Sequence, residues 1–367
     1  MSDTLVTEPS DVVAKPDQVP ASTAARWRGV LTGLVVLAVL AVLPLVGLHI
    51  PVILPGPVSS PGSLQILAIG LVFAGVAVSY DVIFGYTGLL SLGHALYVAM
   101  GAYGTNLLMD RGLALLPAAA LTVLGVAVMA ALLGGIALRT RGVAFAMVTL
   151  AYAEAFSIFL LADPLRISGG EEGLPIIGDA VPDLLRGVVN TRNLYWLALI
   201  FAVIVYGLAR LATRSLAGHV WQAIRENEDR VELLGLVPYV YKLASFVFGC
   251  SLAAAGGVVY LLLVRGSSPG VASAEFTLAL VIMVVMGGAG RLWGAALGGV
   301  IYALLTLRLG ALGNSGVLDG LPDWAERVLS EPLFVLGTLF VVLVLFAPGG
   351  LVGLAERARG SLRRSPS

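Results

Sequence analysis

Cysteine is almost absent from this chain of 367 residues, and histidine is scarce. The single cysteine, Cys250, excludes an intramolecular disulfide and a cysteine-rich metal site. The three histidines, His49, His94 and His219, stand far apart in the sequence, so the usual zinc-binding spacings are excluded as well. We therefore expect this chain to hold no metal ion.

Lysine occurs only at positions 15 and 242, and neither lysine follows the glycine that a phosphate-binding loop requires. The chain therefore cannot hydrolyse ATP by that route. The sequence also lacks a clustered nucleophile and base, a set of metal ligands or a pair of acids. A net charge of zero gives no overall field that would attract nucleic acid. These absences argue against an enzyme and against a nucleic-acid-binding protein.

Charged residues make up only 12% of the chain, about half of the roughly 25% found in soluble domains, and 58% of the residues are hydrophobic. The solvent for such a chain is lipid, and the long apolar runs predict an all-α integral membrane protein with about ten transmembrane helices, some of them broken. The expected spans are 29–48, 64–84, 91–109, 113–138, 142–162, 194–212, 243–264, 276–288, 292–309 and 332–346. The run 276–288 is too short to cross the bilayer as a regular helix.

The two ends of the chain are polar. Residues 1–28 are interpreted as a disordered cytoplasmic N-terminus, and 349–367 as a cytoplasmic C-terminal tail. Arginines concentrate in the connections that lie inside when the N-terminus is inside, which predicts a multi-pass membrane protein with both ends cytoplasmic. Five spans followed by five would give two halves of inverted topology, as in many transporters. The loop 163–192 is the longest outer connection and is expected to offer a docking surface.

The most polar internal segment is 213–242, a predicted cytoplasmic loop between two apolar runs. Ala223, Ile224, Val231 and Leu234 follow Val220 at spacings that place them near one face of a helix. Gly218 and Gly235 bracket this helix, and Pro238 follows it. Two interpretations stand: a solvated connector on the bilayer surface, or a docking helix whose apolar face binds another protein.

Glycines interrupt the apolar sequence between Gly85 and His94 at membrane depth. Non-helical backbone is tolerated there only where protein or a cavity satisfies its hydrogen bonds. The segment is therefore either a tight turn or a break that lines a pathway. His94 is a proton-relay group or, more commonly for such a histidine, a hydrogen-bonded packing residue.

Two acids interrupt the apolar runs. Glu154 lies within a predicted span, where an acid is costly unless it faces a polar interior. It could bind a substrate amine, couple to an ion or hydrogen-bond to another helix, and the last role is favoured. Asp81 is expected to be an interfacial or capping acid.

Several motifs together resemble the membrane permeases of branched-chain amino-acid ABC importers, and most closely the M-type subunit of the leucine/isoleucine/valine importer. They are Gly85-Tyr-Thr-Gly-Leu-Leu-Ser-Leu-Gly-His94 and its continuation to Tyr103, Arg214–Glu228 followed by Leu234-Gly235 and Tyr241–Phe246, Gly142–Leu150, Gly287–Gly294 and Pro348–Gly353. The resemblance covers roughly residues 64–355, and the order and spacing of the motifs make chance an unlikely explanation.

The resemblance implies a permease domain over 29–348 that forms the translocation pathway. It further implies a second related permease (a heterodimer), two cytoplasmic ATPase subunits that bind the ATP and Mg, and an extracytoplasmic solute-binding protein. No cofactor is expected in this chain, and the location that the resemblance implies is the bacterial cell (inner) membrane. The implied ATPase-coupling residues are Arg214, Gly218, Val220, Ala223, Ile224, Arg225, Glu226, Asn227, Glu228, Leu234 and Gly235. The expected pathway residues are Gly85, Tyr86, Thr87, Gly88, Ser91, Gly93, His94, Thr149 and Glu154.

The chain departs from the family pattern at His219-Val220-Trp221, where an arginine is more usual after Gly218. This departure puts in doubt a specific salt bridge to the ATPase at that position. The rival interpretation is an ion-coupled secondary transporter of a small polar solute that uses Glu154, Asp81 or His94. A membrane-embedded enzyme is a more distant rival.

Overall fold

The computed structural model describes residues 23–48, 54–176, 181–187, 190–313, 332–346 and 349–353. The chain forms two compact units, Met1–Leu43 and Pro44–Ser367. Residues 1–22 of the predicted disordered N-terminus and 354–367 of the predicted tail lie outside the described residues.

The first unit contains one helix, α1 (Thr23–Val42). The prediction of disorder is wrong for residues 23–28, which belong to this helix. Alanine and arginine are strong helix formers, and they carry the helix upstream of the apolar run. Farther along, the side chains of Leu34, Val35 and Val39 are each more than half exposed, as expected for a helix whose surroundings are lipid.

The second unit is an all-α bundle whose helices agree closely with the apolar runs. They are α2 (Pro61–Asp81), α3 (His94–Asp110), α4 (Leu115–Ala137), α5 (Val143–Ala162), α6 (Thr191–Arg214), α7 (Leu216–Glu226), α8 (Glu228–Leu233), α9 (Pro238–Val264), α10 (Ala274–Gly287), α11 (Leu292–Gly313) and α12 (Pro332–Phe346). A π-helical turn, Val82–Tyr86, extends α2. Within the described residues, 5 helical segments are long and apolar enough to cross a membrane, and shorter apolar helices accompany them.

Helix α2 is the centre of the bundle. It packs against α6, α9, α10 and α11, and every residue from Gly70 to Asp81 is buried. Helices α4, α5 and α6 instead carry exposed leucine, isoleucine and valine side chains along their outer sides. An apolar core inside an apolar periphery is the pattern of a helical membrane protein, since only lipid can cover such a surface.

Glycine sets the distance between α3 and α9. A Cβ atom on Gly101 of α3 would overlap the carbonyl oxygen of Ala254 on α9, and one on Gly257 would overlap the carbonyl oxygen of Val98. The two backbones therefore touch on both sides of the crossing. Such contacts between small residues are the usual means by which membrane helices pack closely.

Two helix starts differ from the predicted spans for identifiable reasons, and the length of one short helix is as expected. Helix α3 begins at His94 rather than Ser91, because Gly88 lies at φ 79° and interrupts the preceding helix. Helix α9 begins at Pro238 rather than Leu243, since proline is well suited to the first position of a helix. Helix α10 has 14 residues and a rise of about 21 Å, less than the roughly 30 Å of a bilayer core.

One end of the bundle carries a small antiparallel pairing of β1 (Leu174–Pro175) with β2 (Gly266–Ser267). Asn106 of α3 donates from Nδ2 to the carbonyl oxygen of Leu174 at 3.0 Å. We call this the strand end. Helices α7 and α8 lie at the other end, together with the turn between α4 and α5, and we call that the α7 end.

Candidate functional site

The predicted loop 213–242 folds as two short helices rather than the one expected helix. Ser215 begins α7 by accepting a hydrogen bond from the Gly218 amide at 3.3 Å, so Gly218 lies inside the helix instead of bracketing it. Asn227 has extended backbone, ends α7 and caps α8 by accepting from the Arg230 amide at 2.9 Å. Asparagine is a favoured cap because its short side chain satisfies amides at a helix start.

The apolar face of α7 is covered by the chain itself. Ile224 is only 5% exposed, and Trp221 is buried and donates from its indole nitrogen to the carbonyl oxygen of Tyr241 at 2.9 Å. Val231 of α8 is buried as well. The expectation of an apolar face free to dock is therefore wrong for Ile224 and Val231, because α6 and α9 supply the surface that covers α7.

Most of the remaining coupling candidates are exposed on the outer side of α7 and α8, and two of them are half-buried. Val220 and Glu228 are half-buried, and Leu234 is 75% exposed. The other exposed residues are Arg214, Ala223, Arg225, Glu226, Asn227 and Gly235. The surface that the described residues leave uncovered here is thus mixed, with charged and amide side chains beside a leucine.

Ionic contacts that the sequence did not predict hold α8 in place. Lys242 of α9 pairs with Glu228, and Arg141, in the turn after α4, lies 3.5 Å from Glu232 and 4.0 Å from Asp229. The one sequence feature that could have indicated these contacts is the scarcity of lysine, since Lys242 is one of only two lysines in the chain.

The glycine break between α2 and α3 is filled by protein atoms. The Thr149 hydroxyl of α5 accepts from the Leu92 amide at 3.0 Å, and Tyr80 donates to the Ser91 carbonyl oxygen at 3.0 Å. Thr87 bonds back to the carbonyl oxygen of Val82 at 3.1 Å. The break is therefore satisfied internally, as irregular backbone at membrane depth must be.

The expected pathway residues do not share one environment. Thr87, Ser91 and Thr149 are buried, and so are Gly85, Gly93 and His94. Tyr86 is half-buried and Gly88 is exposed.

His94 lies fully buried at the start of α3. Its Nε2 atom is 3.0 Å from the Ser79 hydroxyl, and its ring centroid lies 5.1 Å from that of Tyr80 and 6.5 Å from that of Tyr97. This surrounding of one hydroxyl and two aromatic rings favours the packing interpretation over a proton relay.

Glu154 is half-buried on α5. Its carboxylate makes no hydrogen bond and no ion pair with any residue in the described part of the chain. The favoured expectation of a hydrogen bond to a neighbouring helix is therefore wrong within those residues.

Asp81 occupies a position that the sequence did not predict. Its side chain is 0% exposed, and Oδ1 accepts a hydrogen bond from the amide of Gly290 at 2.7 Å. Gly290 has φ 81° and lies in the turn between α10 and α11. Asp81 is therefore neither an interfacial acid nor a helix cap: it joins the end of α2 to that turn.

Arg225 of α7 reaches the same place, where its Nη1 donates to the carbonyl oxygen of Gly85. A Cβ atom on Gly85 would overlap both the Asp81 carboxylate and the Gly290 amide, and one on Gly290 would lie 2.7 Å from Arg225 Nη1. We call Asp81, Gly85, Arg225 and Gly290 the junction. It connects α7 with both glycine-rich interruptions of the bundle, Gly85–Gly93 and Gly287–Gly290.

Comparison with known proteins gives a family match over most of the chain. The family described as branched-chain amino acid transport system / permease component matches residues 62–347. No solved structure matches the chain.

Among curated proteins, the chain is 28% identical over 323 residues to the high-affinity branched-chain amino acid transport system permease protein LivM of Salmonella typhimurium, which covers 81% of this chain and 71% of that protein. It is 27% identical over 307 residues to the corresponding permease protein BraD of Pseudomonas aeruginosa, with 79% of this chain and 94% of that protein covered. The family match extends from the start of α2 to the end of α12 and includes the whole junction. The chain therefore belongs to the family of permease components of branched-chain amino acid transport systems.

Proposed function

We propose that this chain is the membrane-spanning permease subunit of an ATP-binding-cassette importer. It forms, with a second related permease, the translocation pathway for branched-chain or related amino acids. An external binding protein delivers the solute at the strand end, and two ATPase subunits, which bind ATP and Mg, dock at the α7 end. In this arrangement the α7 end is cytoplasmic, the protein lies in the bacterial inner membrane with both termini in the cytoplasm, and ten spans form two inverted halves.

The observation that carries the proposal is the position of α7. Its outer side is left uncovered by the described part of the chain, while Arg225 on the same helix bonds to the glycine break of the bundle. A force applied to α7 from outside the membrane therefore has a direct route to the ends of α2 and α10. Alternating access by tilting of these helices about their glycine-rich interruptions follows from that connection.

The junction explains how a short surface helix can act on buried helices. Arg225 holds the carbonyl oxygen of Gly85, and Asp81, one turn earlier, holds the amide of Gly290. Bonds to charged groups are stronger than neutral ones, and each of these joins two segments far apart in sequence. Movement of α7 thus displaces the π-helical turn and the α10–α11 turn together.

An ion-coupled carrier is not favoured by this geometry. Such a carrier needs an intramembrane site for the coupling ion, yet Asp81 is engaged by Gly290 and His94 lies among aromatic rings. Of the acids considered, Glu154 remains, and it is half-buried on α5.

The test is purification of the chain, tagged at its C-terminus, in mild detergent, with mass spectrometry of the proteins that accompany it. We expect an ATPase and a second permease. Leu234→Asp should reduce recovery of the ATPase by roughly tenfold, since it puts a charge on an exposed apolar contact. Ile224 is unsuitable for this purpose because it is buried in the chain.

Leu165→Asp is the matched control, because Leu165 is 64% exposed and lies at the strand end. It should leave the ATPase in place. Recovery of the chain alone, with uptake into proteoliposomes driven by an ion gradient and not by ATP, would instead make the protein a secondary transporter.

A further inference from the structure

A cavity of about 450 Å³ lies between the end of α6, α7 and the start of α11. This volume falls within the roughly 300–1,000 Å³ of small-molecule sites in proteins. The cavity is separate from the residues that fill the glycine break, although Gly290 and Tyr86 form part of its wall.

Basic side chains dominate the lining of this cavity. Arg210 and Arg214 line it together with Arg291, which has an interaction partner of its own, and no aspartate or glutamate among the described residues lines it. Tyr206, Gln222 and Trp293 add neutral hydrogen-bond donors. The chemistry of the lining is therefore that of a site for an anion.

The two arginines of α6 differ from the other basic residues of the α7 end. The guanidinium groups of Arg210 and Arg214 form no ion pair and no hydrogen bond with any residue that the structure describes, whereas Arg141 and Lys242 are paired with acids. Arg210 and Arg214 are also four positions apart on one helix. Like charges at this spacing repel each other, so an anion bound between the two guanidinium groups would offset this repulsion.

Exposed apolar side chains continue from the cavity along α6 and α11, away from the α7 end and toward the middle of the membrane. On α6, Val203 is 42% exposed and lies seven residues before Arg210, on the same face and about 10 Å deeper. On α11, Trp293 is 45% exposed, and Leu297, one turn deeper, is 44% exposed. Tryptophan is enriched where a membrane protein meets the lipid headgroups.

We propose that this cavity binds the anionic headgroup of a phospholipid, with the phosphate between Arg210 and Arg214 and the acyl chains along Val203 and Leu297. Basic pockets between membrane helices are known to hold acidic headgroups. The apolar faces beneath the cavity distinguish a lipid from free phosphate, which would gain nothing from them. The proposal requires only that the chain lies in a membrane, and the proposed function adds that the leaflet is the cytoplasmic one.

The experiment is native mass spectrometry of the full chain purified in detergent with equal amounts of phosphatidylglycerol and phosphatidylcholine. We expect the wild type to retain phosphatidylglycerol preferentially. The double variant Arg210→Gln, Arg214→Gln should retain it about thirtyfold less, because each basic residue near an acidic lipid contributes roughly a factor of five. The matched control is Arg139→Gln, Arg230→Gln, which removes two exposed arginines of the same end outside the cavity and should change little.

Three results would overturn the proposal. They are equal loss in the control variant, displacement of the lipid by millimolar inorganic phosphate, and absence of the lipid when the chain is purified with a second permease that covers the cavity. The first would show general attraction of acidic lipid, the second a free-anion site and the third a subunit contact. None of them depends on transport, so failure here is distinguishable from failure of the proposed importer.

Discussion

The two ends of the bundle are held together by different kinds of contact. At the α7 end the contacts come from side chains: Arg225 to the Gly85 carbonyl oxygen, Asp81 to the Gly290 amide, and Lys242 to Glu228. At the strand end side-chain bonds such as that of Asn106 to Leu174 are joined by a backbone pairing, that of β1 with β2.

This difference affects how each end can move. A backbone pairing fixes register and orientation together, whereas a single long side chain holds one point and can follow a moving partner. Exposed ion pairs such as those of Arg141 contribute little to stability, on the order of 0–1 kcal/mol. The α7 end is thus built to be displaced, and the strand end to hold its shape.

The largest expected effect comes from closing the space in the junction with Gly85→Ala. Its Cβ atom would overlap the Asp81 carboxylate and the Gly290 amide, so α2 and the α10–α11 turn must separate. Overpacking of this kind costs about 1–3 kcal/mol. We expect a lower thermal unfolding midpoint for the purified chain and loss of amino-acid uptake in reconstituted complexes.

Gly125→Ala on α4 is the control for this substitution, since a Cβ atom there meets nothing within 4 Å. Alanine should leave stability unchanged or raise it by up to about 1 kcal/mol, because glycine is a poor helix former. If both variants unfolded at the same temperature and transported equally, the junction would not be a close-packed contact.

A smaller loss of uptake is expected from Arg225→Ala. This variant removes the hydrogen bond from α7 to the break without adding bulk. A hydrogen bond from a charged group contributes about 1.5–3 kcal/mol, so uptake should fall by roughly tenfold or more if this bond transmits the motion. The ATPase should still co-purify, and ATP hydrolysis should no longer respond to solute-loaded binding protein. Arg225→Lys should restore part of the response.

Arg230→Ala is the matched control, since Arg230 is exposed on α8 and its amide, not its side chain, bonds to Asn227. It should transport normally. Loss of the ATPase from the Arg225→Ala complex would instead place Arg225 in the contact with the ATPase.

Much of this architecture could be predicted from the sequence, because helices in lipid leave a continuous apolar signal. The polar segment 213–242 and the break at Gly85–His94 stood out for the same reason. The apolar stripe of α7 was also visible. What the sequence does not carry is the identity of the surface that covers such a stripe, and here α6 and α9 of the same chain cover it.

The junction could not be predicted by pattern. Asp81 and Gly290 are 209 residues apart, and Gly85 and Arg225 are 140 apart. Helical periodicity reports neighbours within a few turns and carries no information on such pairs. An acid near the end of a span is commonly interfacial, and only the packing of α10 and α11 against α2 distinguishes Asp81 from that majority.

The smallest expected effect is at the strand end, where Asp163 follows α5. Its carboxylate accepts from the amides of Ile167 at 2.7 Å, Ser168 at 2.9 Å and Gly169 at 3.2 Å. The hydrogen bonds from Ser168, the largest cause, and then those from Ile167 and Gly169 hold the pKa of Asp163 below its usual value. Because the pKa is lower in the folded chain, the contribution to stability is complete above the ordinary value of about 3.9 and is lost as the pH falls through the lowered folded value.

Backbone order at the strand end should therefore be unchanged from neutral pH down to about pH 4 and decline only below it. Asp163→Asn should speed hydrogen exchange at the Ile167 and Ser168 amides at neutral pH, because a neutral amide oxygen is a weaker acceptor than a carboxylate. Glu171→Gln, a neighbouring exposed acid, should leave both amides as they are. Uptake should fall far less than in the Arg225→Ala variant. A loss of equal size would mean that the strand end moves with the transport cycle, and the contrast between the two ends would then be wrong.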